Sequence, residues 1–536
     1  MSALRDVSVV LGALATLALL LPLGPIASAR REGLRAVGAG ALAAAAVLIL
    51  VSLVPAEDVR SALERLRSPA AAAAAVVGLV IAVAVFLIVA RLLSAHPSVW
   101  FGLLAAALPI RLPVQVGSLD ANLLVPLYGL IALGLAAWVW GRIRGRIPPV
   151  SDFGPPVMTV PLAAFVAFMF LSSPWSADGQ EAGIKLACFF APFTLLYVLV
   201  VAWWPRARAL GALTVVTLAG GLVAALVALW QHINGELWWN QTLIQANVYS
   251  RFHRVNGIFF DPNILGRYLA LALLVGLAVA WMRTRTWELA ALAGAGAVMA
   301  GGLFVSYSRS STLMLMIGIV LLAARAAGAR RVTAVAAVLL IVVGAATFAA
   351  SSEVRHAATD MNRMERVSEG RFDLMRGGLT IWAKDPLLGT GLGAFAKEYE
   401  ETLTETERAK IRVVISHNTP VTVLSEGGVV GFALFVALIL GAGWAVVRGS
   451  LAQEGVAGWA RWTAGAILLG ILVHSLLYAA LFEDPFIWVL AAGAVALAGV
   501  STVAGSRAPE DPSHRSERRR TDGGGIEDDP DGAVVA

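Results

Sequence analysis

Charge is scarce in this chain and cysteine almost absent. Only 14% of its 536 residues are charged, while 58% are hydrophobic and the mean hydropathy is +0.77. A soluble domain carries about 25% charge, so most of this chain does not meet water. The one cysteine, Cys188, lies inside an apolar run, which excludes an intramolecular disulfide and a thiolate metal site. Alternating barrel strands are missing too, since the apolar runs are long and uniform. Lipid tolerates only helices or closed barrels, so the expectation is an all-α polytopic integral membrane protein. The net charge of +6 does not point to nucleic acid, because Lys and Arg mark cytoplasmic loops in membrane proteins.

What is present is a succession of apolar segments of about 20 residues, enough to cross a hydrocarbon core of roughly 30 Å. They fall at 7–29, 36–54, 70–91, 98–112, 120–141, 156–172, 183–203, 210–230, 263–282, 288–306, 311–327, 332–350, 420–447, 461–482 and 486–504. That predicts about 14 or 15 transmembrane helices. The first runs into "SARREGLR" without a small-residue cleavage site, so it reads as a retained helix rather than a signal peptide. The fourth is short and carries Pro109 and Pro113; a re-entrant segment there stays open, and with it the side of the N-terminus.

Basic connections at 141–146, 205–208, 282–286 and 325–331 alternate with segments at 172–180, 231–263 and 306–311 that are poor in Lys or rich in aromatics. The positive-inside rule puts the first set in the cytoplasm and the second outside, together with the long segment 351–419. The chain then divides into N-terminal helices (1–155), a core with arginine-bearing outer loops (156–350), an extracytoplasmic loop domain (351–419), C-terminal helices (420–504) and a tail (505–536). The tail is polar and rich in Gly and Pro, which predicts a disordered cytoplasmic segment.

Four polar clusters fall on the predicted outer face. "SRFHRVNGIFFDPN" holds Arg251 and Arg254, then Asp261, Pro262 and Asn263 at a helix start; the arginines could be interfacial anchors, and Asp and Pro suit a capped first turn. "SYSRSSTL" sets Arg309 between two spans with hardly any loop, where it either snorkels or lines a cavity and meets an anion. "GRFDLMRGGLTIWAKDPLLGTGLGAF" carries Arg371 on an amphipathic stretch, then glycines 389, 391 and 393, which suit tight turns and close backbone approach rather than a dinucleotide fingerprint. "HNTPVTVLSEGGVVGF" places His417 and Asn418 at a helix start and Glu426 inside it. Asn418 can cap that helix and Glu426 can bond a neighbour, yet ionisable residues at membrane depth are functional candidates by default.

These four stretches, in this order, resemble the motifs of the O-antigen ligase and O-antigen polymerase family, most closely between 251 and 432. The resemblance implies a GT-C-like membrane glycosyltransferase. Its donor would be a polyprenyl-diphosphate-linked glycan, transferred to an acceptor hydroxyl on the outer face of a bacterial cytoplasmic membrane. It also implies that Arg254, Arg309 and Arg371 face the donor diphosphate and that His417 sits at the acceptor, with Asn418, Glu426, Asn263 and Arg251 in support. Expected partners are the glycan donor, a glycan or lipid-glycan acceptor, the bilayer, and flippase or chain-length regulator proteins; no nucleic acid, cofactor or metal is implied.

Guanidiniums pair bidentately with phosphate oxygens and stabilise a leaving diphosphate as its charge grows, so they can substitute for a divalent metal. Imidazole, ordinarily titrating near 6.5, suits removal of the acceptor proton. Two other classes compete. A transporter or flippase of lipid-linked sugars would show polar or broken helices near the bilayer midplane, and a membrane scaffold would not need ionisable groups repeatedly at helix starts.

Overall fold

The computed structural model describes residues 2–22, 28–116, 119–147, 152–204, 209–238, 240–249, 253–327, 371–405, 416–478 and 481–505. In chain order the elements begin with α1 (Ser2–Leu20), α2 (Ser28–Leu53), α3 (Ala56–Arg65), α4 (Pro69–Ala95) and α5 (Pro97–Ala107). A hairpin of β1 (Leu112–Val116) and β2 (Leu119–Leu123) leads to α6 (Val125–Ile143) and α7 (Pro156–Ser172). Then come α8 (Gly179–Lys185), a π-helical stretch (Leu186–Phe190), α9 (Ala191–Trp203), α10 (Ala209–Asn234), α11 (Gln241–Tyr249), α12 (Pro262–Trp281), α13 (Thr286–Val305) and α14 (Arg309–Ala327). The described remainder holds α15 (Arg371–Trp382), α16 (Phe395–Thr402), α17 (Thr419–Val447), α18 (Gly455–Ser475) and α19 (Pro485–Gly505).

Eleven helices among the described residues are long and apolar enough to cross a membrane, with Pro97–Ala107 and Pro485–Ala498 as shorter apolar ones. The polytopic all-α reading therefore holds, and every expected span but one overlaps a helix. The exception, 332–350, lies outside the described residues, as does the tail from 506. Prolines in the first turn start α4, α5, α12 and α17, where a missing N–H costs nothing and the fixed φ already suits a helix.

Two of these spans are shorter than expected. The segments drawn at 98–112 and 120–141 give up residues 112–123 to the antiparallel hairpin, with Leu112 opposite Leu123 and Val116 opposite Leu119. "LPVQV" and "LDANL" cannot continue a helix through Pro113, and a β-pairing satisfies their backbone instead. The preceding α5 has 11 residues and is shorter than the span drawn there. Its Trp100 stacks edge-on against Trp203 at the end of α9, centroids 5.0 Å apart, while Arg111 just beyond it donates to the Glu483 carbonyl before α19 at 2.7 Å.

The pillar of the bundle is the continuous helix from α8 to α9, whose apolar window is wholly buried. Around it pack α2, α6, α7 and α19, while α10, α12 and α13 form a flanking group with its own small core around Leu265, Leu269 and Met299.

Named contacts fix which helix ends lie together. At one end Asn418 reaches the Leu476 carbonyl after α18, Lys397 reaches Ala177 before α8, and Arg254 reaches Ser306 after α13. Arg5 of α1 lies against Gly179 there, so the chain begins at this same end. At the other, Arg142 pairs with Glu32, Arg325 donates to the carbonyls of Ser450 and Gln453, and Trp281 stacks on Trp459. The four polar clusters belong to the first end and the basic connections at 141–146 and 282–286 to the second.

Candidate functional site

The first two clusters are built as one unit. Asp261 caps α12, its carboxylate accepting from the Asn263 amide at 2.6 Å. That fixes Asn263 in the first turn, where its side-chain oxygen accepts from the Ser308 hydroxyl at 3.0 Å and from Arg254 at 3.4 Å. Arg254 also donates through Nε to the Ser306 carbonyl at 3.3 Å. Asn247 brackets its backbone from both sides, donating to the Arg254 carbonyl at 2.8 Å and accepting from its amide at 3.2 Å. The serines of "SYSRSS" complete the joint: Ser308 meets Ser311 at 2.8 Å, and Ser311 donates to the Asn263 carbonyl at 3.3 Å.

Within this joint Arg309 opens α14 and is exposed, while its neighbours Ser308 and Ser310 are buried. A cation at a helix N-terminus faces the wrong end of the dipole. Such a placement suits an anion that both the guanidinium and the positive end of the helix can meet.

The start of α17 forms the second half. Asn418 is its cap, accepting from the Val421 amide at 3.0 Å, and its side-chain nitrogen holds the Leu476 carbonyl at 3.0 Å. Ser416 donates to the Asn418 carbonyl at 2.8 Å and accepts from its amide at 3.0 Å. Between them His417 is half-buried with a φ of 56°. Its ring lies 6.3 Å from that of Tyr478, which faces His474 at 5.6 Å on another side. The Arg267 guanidinium sits 5.8 Å over the same tyrosine ring.

Arg267 is one α12 turn below Asn263 and is buried against Asp484 at 3.0 Å. Tyr478 thereby ties His417 to the helix that carries the Arg254–Asn263 joint. Burial pushes the Tyr478 hydroxyl pKa up, Asp261 adding to the rise and Arg267 opposing it.

Tyr307 and His417 are the two non-glycine residues with positive φ among the described residues, at 51° and 56°. An L-residue pays roughly 1–2 kcal/mol for that conformation, and such strain gathers at binding and catalytic turns. One of them precedes Arg309 by two positions and the other is the histidine itself.

Glu426 is 4% exposed and occupies neither half. It pairs with Lys185 of α8 at 3.6 Å and accepts from the Phe395 amide at 3.3 Å. Two residues on, α17 breaks at Gly428, with φ 60° and ψ −163°. The glycine-rich turn fills the break. Thr390 and Gly391 donate to the carbonyls of Ser425 and Glu426 at 3.1 and 2.9 Å, while Val429 and Val430 donate to Pro386 and Leu387 at 2.9 and 3.2 Å. Four backbone groups freed by the break are thus paired again. Gly391 and Gly393 press on Ser176 and Ala182 at the α7–α8 junction, the close backbone approach their spacing predicts.

Two candidate residues cannot be placed in this geometry. Arg251 and the Arg371 side chain lie outside the described residues and side chains, although the Arg371 backbone begins α15. Three groups that line the same end were not singled out from the sequence: Lys185, Arg267 and Tyr478. The first two carried a signal, since each is a lone cation within an apolar run; Tyr478 carried none.

No curated protein matches the chain. The sequence model of the family described as O-antigen ligase matches residues 294–436, a stretch that holds Arg309, Arg371, His417 and Glu426 and starts after Arg254 and Asn263. The match covers about a quarter of the chain, which is similar there to the O-antigen ligase domain.

Proposed function

We propose that this protein transfers a glycan from a polyprenyl diphosphate to an acceptor hydroxyl at the extracytoplasmic surface of a bacterial cytoplasmic membrane, without a metal. The observation that carries the reading is the gathering of Arg254, Arg309 and His417 at one end of the bundle, joined through Asn263, Ser308, α12 and Tyr478. The basic connections at the opposite end support a cytoplasmic assignment for that end and for the tail.

In the proposed step the acceptor oxygen attacks the anomeric carbon as the bond from that carbon to the diphosphate breaks. The hydroxyl proton goes to the His417 imidazole, and the electron pair leaves with the polyprenyl diphosphate. Arg254 and Arg309, with Arg371, stabilise that leaving charge as it develops. A single displacement inverts the anomeric configuration. The strained His417 backbone, braced on both sides by Ser416 and Asn418, supports a positioned base rather than a mobile one.

The deciding experiment incubates the purified protein with a polyprenyl-diphosphate glycan, with and without EDTA, and follows the glycan. Longer chains identify a polymerase and a glycan on a new acceptor identifies a ligase. Movement across a vesicle bilayer with no new bond would replace the enzyme with a flippase. Loss of activity in EDTA would end the metal-free assignment.

A further inference from the structure

A largely apolar cavity with charged groups in its wall lies beside the first turns of α17, and Arg111 donates to the backbone of Glu483 next to it. The cavity measures about 60 Å³ and is lined by Thr419, Thr422 and Glu426 of α17, by Lys185 of α8 and by Glu483 of the segment before α19, with phenylalanines closing its sides. At roughly 10–15 Å³ per water on this scale it has room for a few waters or for a hydroxymethyl group.

Three features mark it as built to receive something. Thr419 is 4% exposed, and its hydroxyl lines the cavity with no hydrogen-bond partner among the described residues; an unmet buried hydroxyl is unfavourable unless a ligand or water meets it. The Glu483 carboxylate lines the cavity and interacts electrostatically with the Lys185 ammonium, and a carboxylate has lone pairs left for further hydrogen bonds. The walls carry one ammonium and two carboxylates, a formal charge of −1, opposite in sign to the Arg254–Arg309 joint. Thr419 is two residues from His417, so the cavity and the imidazole share one helix start.

We propose that this cavity is the acceptor subsite, taking a neutral hydroxyl-bearing arm of the acceptor sugar. Its carboxylates and Thr419 bond the sugar hydroxyls, and its negative walls reject phosphate. The two substrates are therefore sorted by charge, the diphosphate toward the arginines and the neutral sugar toward Glu483. This rests on the proposed transferase reading.

The test uses the full-length protein in lipid nanodiscs, free of glycoside detergent. Equilibrium binding of butyl glucoside, butyl glucuronide and a polyprenyl diphosphate is measured for the parent, Glu483→Gln and Thr419→Val. The parent should bind the glucoside about ten-fold tighter than the glucuronide. Glu483→Gln and Thr419→Val should each weaken the glucoside about ten-fold, as expected for losing a hydrogen bond to a charged or buried group, and Glu483→Gln should also erase the preference over the glucuronide. Binding of the polyprenyl diphosphate should stay within about two-fold throughout, which also reports an intact fold. Equal binding of the two glycosides by the parent overturns the proposal, as does unchanged glucoside affinity in both variants. Because these are binding measurements, a protein that failed to transfer glycan would still report on the cavity.

Discussion

Gly389 and Gly428 meet backbone to backbone: a Cβ built on Gly389 would lie 2.5 Å from the Gly428 nitrogen, and one on Gly428 would lie 2.6 Å from that of Gly389. Both have positive φ, 72° and 60°. The turn between α15 and α16 can enter the broken α17 only because neither residue has a side chain. Gly428→Ala adds backbone strain of about 1–3 kcal/mol to a clash that no flexible side chain can relieve. It should lower the midpoint of thermal unfolding and make the 371–405 segment sensitive to protease. A variant as stable and protease-resistant as the parent would show that the turn is not seated there.

The backbone of His417 separates strain from chemistry. At φ 56° glycine is favoured and asparagine tolerated, whereas alanine is penalised by roughly 1–2 kcal/mol. His417→Gly and His417→Asn should therefore fold at least as well as His417→Ala, with all three bound to the membrane and still binding the lipid-linked donor. All three should lose transfer by about 10²-fold or more, the usual worth of a general base. Turnover retained in His417→Asn would remove the imidazole from the reaction.

The architecture was legible in the sequence wherever lipid dictated it. Spans such as α12, α13 and α14 are apolar runs with prolines or polar residues at their starts, and length alone bounds them. The site was legible only in part. Asp261 and Asn418 announce themselves as caps, and both cap. Their neighbours' partners are tertiary facts: nothing local says that Asn263 will join Arg254 to Ser308, or that Lys185 will meet Glu426 across more than two hundred residues. The hairpin at 112–123 was hidden because twelve residues of mixed polarity, with Pro113 among them and Pro109 just before, fit the flank of a span as well as a turn. The break in α17 was hidden for a related reason, since "SEGGVVGF" reads as a continuous apolar helix until the turn that occupies it is known.

Asn263 is the joint's most loaded polar group, accepting from Ser308 and Arg254 through one oxygen. Asn263→Leu leaves a buried serine hydroxyl without that acceptor and removes one of the bonds that hold the Arg254 side chain, its bond to the Ser306 carbonyl remaining. Stability should fall by about 1–3 kcal/mol, the penalty for an unmet buried polar group, and the affinity for polyprenyl diphosphate should fall with it. Asn263→Asp, which keeps an acceptor oxygen, should recover most of the stability. Its added negative charge beside Arg254 should still weaken the diphosphate. Calorimetry of unfolding and of polyprenyl diphosphate binding reads the two effects apart; equal recovery of both would mean that the arginine is an anchor and not a ligand.

Arg309 provides the sharpest test of the anion site, because its exposure removes stability from the question. An exposed side chain at a helix start is worth little to the fold, so Arg309→Lys and Arg309→Ala should unfold within about 0.5 kcal/mol of the parent; alanine, relieving the unfavourable dipole, should be no less stable than lysine. If the residue only snorkels toward headgroups, lysine serves as well and activity persists. If it grips a diphosphate, lysine keeps the charge but loses the planar fork that holds two oxygens at once. Transfer by Arg309→Lys should then drop by about ten-fold or more, and by Arg309→Ala by roughly 10²–10³-fold, the scale seen when one donor to a developing oxyanion is removed. Steady-state turnover on a polyprenyl-diphosphate glycan decides it: full activity in the lysine variant reduces Arg309 to an anchor and leaves Arg254 to meet the phosphate without it.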